Sequence, residues 1–147
     1  MIAKKISGII FIMIFSVSAF SQNKDAILGK WLNASGQGQI IIYKTGEKYS
    51  GKLVWLKEPD GEDGKPKRDV KNSKPELKNR PLLGIQILQN FTYSGDGVWE
   101  DGSIYDPKTG KVYSCKISMV SSDELYIRGY VGISLLGRTE IWKRAQS

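Results

Sequence analysis

The chain has 147 residues, 40% of them hydrophobic, a formal net charge of +7, one cysteine and no histidine. Without histidine there is no Ser-His-Asp or Cys-His nucleophile pair and the commonest transition-metal ligand is missing, so hydrolysis by a familiar route is disfavoured. One cysteine, Cys115, closes no disulfide within the chain and reads as a small buried apolar residue.

The first segment is a targeting sequence by its chemistry. Lys4-Lys5 precedes the apolar run Ile6 to Val17, about a dozen residues and too short to span a bilayer. Ala19-Phe20-Ser21 places small residues where a signal peptidase reads, so residues 1–21 are expected to be removed before Gln22. No cysteine stands at the junction to take a lipid anchor. Export to the periplasm or beyond the cell is therefore expected, with no transmembrane segment left after processing. Loss of Lys4 and Lys5 lowers the formal charge from +7 to +5 and leaves residues 22–147 as one domain.

From there short strands alternate with turn chemistry, and no long segment has helical period. Ile27 to Leu32 opens, Asn33-Ala-Ser-Gly-Gln-Gly38 turns, and Gln39 to Lys44 follows. After Thr45-Gly-Glu47, the strand Lys48 to Lys57 puts Tyr49, Gly51, Leu53 and Trp55 on one alternating face, expected to point inward. Gly84 to Tyr93 resumes with Ile85, Ile87 and Phe91, and Ser94-Gly-Asp-Gly97 is a tight hairpin. Val98 to Asp106 is interrupted at Gly102, which predicts a bulge or bend. Lys111 to Val120 alternates Tyr113, Cys115, Ile117 and Met119 against Ser114, Lys116 and Ser118. Glu124 to Tyr130 and Arg138 to Arg144 complete eight strands, joined mostly by turns too short for crossover helices. The fold class is therefore all-β, and eight up-and-down antiparallel strands close into a barrel wide enough for side chains or one small ligand.

Between the third and fourth strands, residues 58–80 form a long surface loop with three prolines, two glycines and thirteen charges of both signs, and one helical turn near Pro75 to Asn79. Its acidic start at Asp60-Gly-Glu62-Asp63-Gly64 resembles a calcium loop only superficially, because Lys71 stands where the closing acid is needed. No metal site and no cofactor are expected.

The stretches Ile27-Leu-Gly-Lys-Trp31, Tyr49 to Pro59, Arg80-Pro-Leu-Leu-Gly84, Ile104-Tyr-Asp-Pro107, Tyr113-Ser-Cys115 and Arg128 to Thr139 resemble those of an exported bacterial family catalogued as domain of unknown function 2147. That resemblance covers nearly the whole mature chain and implies no reaction. Gly29-Lys-Trp31-Leu-Asn33 also resembles the first strand of avidin and lipocalin barrels. In that group the tryptophan caps one barrel end beneath an arginine of the last strand. The resemblance implies a structural closure of Trp31 by Arg138, and a barrel fold without specifying a ligand.

Three functional readings remain. In the leading one the barrel binds a small, partly apolar molecule, with Tyr49, Trp55, Phe91, Trp99 and Tyr113 converging on its mouth, or else packing as filler. Arg128 shares strand parity with Tyr130; if that face is inward, Arg128 holds an acidic group of the ligand in fork geometry, and if outward it is simply solvated. The second reading is an envelope protein with a filled barrel that meets a protein partner through residues 58–80. The third is an enzyme built on carboxylates and tyrosines, for which no catalytic residue is assigned. Mixed-sign charge without a basic-aromatic stripe argues against nucleic acid as a partner.

Overall fold

The computed structural model describes residues 3, 8–14, 23–133 and 135–146. The expected cleavage point after Ser21 lies outside them, as does most of the segment before it. Eight strands follow: β1 Gly29–Leu32, β2 Gly38–Thr45, β3 Lys48–Leu56, β4 Gln86–Gly95, β5 Val98–Asp106, β6 Lys111–Ser121, β7 Glu124–Tyr130 and β8 Gly137–Arg144. Each pairs antiparallel with the next, and β8 returns to β1 through Trp31↔Arg144 and Leu32↔Lys143, closing the barrel. The expected all-β meander barrel is what the chain forms, and every strand among the described residues lies from Gly29 onward.

Turn chemistry sets the hairpins. Between Gly95 and Val98 the two linking residues, Asp96 and Gly97, both have positive φ, 53° and 71°. That is the primed turn whose twist matches the flanking strands. The alternating β6 pattern buries Cys115, Ile117 and Met119 as its spacing requires.

Bulges break that simple alternation elsewhere. In β3 the register slips between Gln39 and Ile40, which pair with Trp55 and Leu53, so Val54 is the extra residue. An extra residue exchanges the two faces of a strand. Trp55 consequently turns outward, 40% exposed, instead of inward beside Leu53. In β5 the slip falls between Trp99 and Gly102, with Asp101 at φ 61°. The bulge expected at Gly102 is there, one residue earlier, and Gly102 is needed because a Cβ would meet the Phe91 ring at 2.5 Å.

The barrel has a packed end and an open end. The packed end holds Trp31, Tyr49, Phe91, Trp99, Ile117 and Leu125, all nearly inaccessible. Trp99 lies edge-on to Tyr49 at 6.3 Å and against Tyr93 at 5.0 Å. Its indole N–H is buried without a partner among the described residues. The turn at residues 23–28 plugs this end: Ile27 is buried and its carbonyl accepts from Trp31 Nε1 at 2.9 Å. Tyr49 donates to Asp25 at 2.5 Å. That hydroxyl, with Lys44 at 3.4 Å, holds the Asp25 carboxyl below its ordinary range.

The cation stacked on Trp31 is Arg144, 4.1 Å from the ring centroid, and not Arg138. Strand direction explains the correction. β1 begins at the packed end, so the residue beside Trp31 must come from the end of antiparallel β8, whereas Arg138 sits at its start.

Candidate functional site

At the other end the strands enclose a cavity of about 1180 Å³. Its mouth is framed by the β1–β2 turn, the long loop, the β5–β6 turn and the β7–β8 connection. The wall is mainly aliphatic: Ile40, Leu53, Leu56, Ile87, Ile104 and Ile127 face it, joined by Leu82 from the loop. By register, Ile40, Ile127 and Trp142 are set back toward the packed end. Gly129 also lines the cavity, and a Cβ there would make only ordinary contacts, 3.5 Å to Ile104 and 3.6 Å to Tyr113. Its missing side chain keeps the cavity open.

The slip in β3 that expels Trp55 leaves Leu53 and Leu56 on the wall, which is why the wall is aliphatic at that point. On β8, Arg138 and Glu140 line the cavity, two residues apart and in step with buried Trp142. Glu140 accepts a long hydrogen bond from Trp142 Nε1 at 3.5 Å. Arg138 has no ion pair among the described residues. Lys67, Lys108, Glu58 and Asp106 add charge at the mouth, with Lys67 and Glu58 3.9 Å apart. The arrangement offers a greasy interior with polar groups gathered at one end, suited to an amphipathic molecule.

Residues 57–85 form part of this site because they are fastened to the barrel wall. Asp69, fully buried, is the fastening: it accepts from Tyr105 at 2.5 Å, Asn72 at 2.9 Å and Arg80 at 2.9 Å. Burial alone would raise its pKa, but the three donors outweigh burial and hold the carboxyl below its usual value. Burial, then the neighbouring Asp69, pushes the Tyr105 hydroxyl up to about 12. Gly110 completes the joint, since a Cβ there would fall 1.9 Å from the Lys71 carbonyl oxygen. The helical turn expected within the loop is a short 3₁₀ turn, Pro75–Leu77.

Of the seven residues assigned to a ligand from the sequence, Tyr113 and Tyr130 line the cavity. Tyr49, Phe91 and Trp99 belong to the packed end, where depth along the barrel and not strand face excludes them. Trp55 faces out for the reason given above. Arg128 faces out as well: Leu125 and Ile127 take the buried positions of β7, and Arg128 Nη1 donates to Thr139 Oγ1 at 2.9 Å on the outer face. It therefore does not hold a ligand inside the barrel. Arg138, expected as a structural closure, lies at the mouth instead. Asp69 and Arg144 carried no sequence signal strong enough to single them out, because Tyr105 and Arg80, which bind Asp69, and all the partners of Arg144 come from elsewhere along the chain.

Among the described residues no group of three or more histidine, cysteine or acidic side chains is placed to hold a metal ion. No helix there is long and apolar enough to cross a membrane.

Fold and cavity together define a small barrel of the lipocalin kind. Protein HP1028 from Helicobacter pylori, described as belonging to the lipocalin family, has a similar structure, with a TM-score of 0.72 over 82% of this chain and 84% of that one. Sequence identity is 20%, so the likeness concerns the fold. The chain belongs to the family described as an uncharacterized protein conserved in bacteria (DUF2147), whose model matches residues 29–144. None of the curated proteins matches it.

Proposed function

We propose that this protein is an exported binding module whose barrel takes up a small, partly apolar molecule carrying an acidic group. One observation carries the reading: an open cavity of about 1180 Å³ with an aliphatic wall and Arg138 at its mouth. The volume lies somewhat above the roughly 300–1,000 Å³ usual for ligand sites, as fits a cavity that opens at its mouth. A guanidinium at the rim matches a carboxylate or phosphate in two-point geometry, while the apolar part of the ligand lies against Ile40, Ile104 and Ile127. Glu140 beside it favours a ligand that also donates a hydrogen bond. The description of the Helicobacter protein as a lipocalin agrees with this use of the fold.

The test is a titration with a fluorescent fatty-acid analogue and its uncharged methyl ester. Saturable one-to-one binding of the acid is expected, about tenfold weaker after Arg138→Gln. Binding of both probes should disappear on Gly129→Leu, which fills the cavity from a position with room for its Cβ. Equal binding by the wild type and Gly129→Leu would overturn the reading.

A further inference from the structure

The connection between β7 and β8 is a finger of aliphatic side chains beside the cavity mouth. Val131, Ile133, Leu135 and Leu136 have relative exposures from 58% to 83%. The finger's backbone bonds to itself: Val131 N donates to Leu136 O at 3.4 Å, Ile133 N to Val131 O at 3.0 Å, and Leu136 N to Ile133 O at 3.0 Å. Gly132, at φ 77°, permits the reversal. These bonds satisfy backbone groups locally while the apolar side chains stay exposed, Val131 and Leu136 of them along the cavity mouth. Exposed apolar surface concentrated in this way marks a contact with something apolar.

What flanks the finger indicates what it contacts. From Leu125 to Thr139 the only charged residues are Arg128 and Arg138, one on each supporting strand. The register Arg128↔Thr139 and Gly129↔Arg138 sets them on adjacent rungs at the finger's base. Tyr130 stands between the base and the tip. An aliphatic tip, a tyrosine and then cations is the order of chemistry met on passing outward from the hydrocarbon of a bilayer to anionic headgroups. A protein partner would be recognised through polar handles at the tip, and in sequence Val131 to Leu136 offers only Ser134 as a hydrogen-bonding side chain.

We propose that this finger docks the barrel mouth on an anionic lipid surface, with the leucines in the acyl boundary and the arginines toward the headgroups. Docking there sets the cavity mouth against the lipid. The proposal stands on the finger itself: a cavity that proves empty leaves it intact, and failed docking leaves the cavity reading intact.

Flotation with lipid vesicles tests it, using the chain from Gln22 on, which contains every strand of the barrel. The protein should float with vesicles of phosphatidylglycerol in phosphatidylethanolamine and stay behind with pure phosphatidylcholine. L135S/L136S should lower the partition coefficient at least tenfold, and each of Arg128→Gln and Arg138→Gln about fivefold at low salt. Val120→Ser, an exposed apolar position at the packed end, should change nothing. The contrast between the two wild-type vesicle results stands even if a variant misfolds. Absence of flotation with the anionic vesicles would overturn the proposal. So would flotation unchanged in L135S/L136S, which would assign it to bulk charge, or finger-dependent self-association without vesicle binding, which would assign the finger to a protein contact.

Discussion

Replacing Arg144 by methionine should cost this barrel about 3–5 kcal/mol, a figure assembled from the contacts of one side chain. Its guanidinium lies 4.1 Å from the Trp31 ring centroid. Nη2 donates to Ala26 O at 2.8 Å, Nη1 to Leu28 O at 3.1 Å, and Nε to Ser122 O at 2.8 Å. These acceptors belong to the 23–28 turn and the β6–β7 turn, so Arg144 ties both to the seam where β8 meets β1. Hydrogen bonds to a charged group contribute about 1.5–3 kcal/mol each. The Ser122 bond is exposed and water replaces it, leaving two part-buried bonds that, at the lower end of that range, provide about 3–4 kcal/mol. Stacking on the indole adds about 0.5–2 kcal/mol, and the methionine stem recovers part of the packing. The loss is a large fraction of the roughly 5–15 kcal/mol that holds a domain folded. Urea unfolding reads it as a lowered midpoint at unchanged slope. Arg144→Lys should fall between wild type and Arg144→Met, because a compact ammonium keeps the charge but lacks the planar fork that reaches carbonyls on two separate turns while stacked on the indole. Arg138→Ala should stay within about 0.5 kcal/mol of wild type, as exposed positions do. A cost below about 1 kcal/mol for Arg144→Met, or an equal cost for Arg138→Ala, would refute this account of barrel closure.

Asp69→Asn should free residues 57–85 from the wall, costing about 2–4 kcal/mol and admitting trypsin at Lys67 to Lys78. The same fastening should respond to acid. Asp69 has a folded pKa below its unfolded value, so its contribution is complete above about pH 4 and lost as the pH falls through the folded pKa. Proteolysis of the loop should therefore rise on acidification in the wild type and respond less in Asp69→Asn. Gly102→Ala should destabilise by about 1–3 kcal/mol, because its Cβ meets the Phe91 ring; a melting temperature unchanged from wild type would refute that packing. Cys115 is buried and its thiol is pushed up to about 12, so modification by a thiol reagent at pH 8 should track global unfolding.

How far the sequence reveals this protein depends on the range of each interaction. Strands and hairpins are written locally: the Tyr113 to Met119 alternation and the glycines around Asp96 define β6 and the β4–β5 turn without help from elsewhere. Side-chain direction is less local. One bulged residue, Val54, exchanges the faces of the end of β3, so parity counted from Tyr49 sends Trp55 the wrong way. Depth along the barrel is not encoded in alternation at all, which is why Tyr49, Phe91 and Trp99 share an inward character with Tyr113 yet lie at the other end. The closure was legible as a tryptophan beneath a terminal arginine. Which arginine depended on the direction in which β8 runs past β1. Asp69 gave no warning because the donors that keep it charged, Tyr105 and Arg80, come from 36 and 11 residues away.

Native mass spectrometry of the protein purified gently from its own host most directly tests the claim that the barrel carries a ligand. An additional mass is expected on the polypeptide, released by denaturation and absent from Gly129→Leu prepared in the same way. The same added mass on Gly129→Leu, or bare polypeptide in the wild type together with no uptake of the acidic probe, would contradict it.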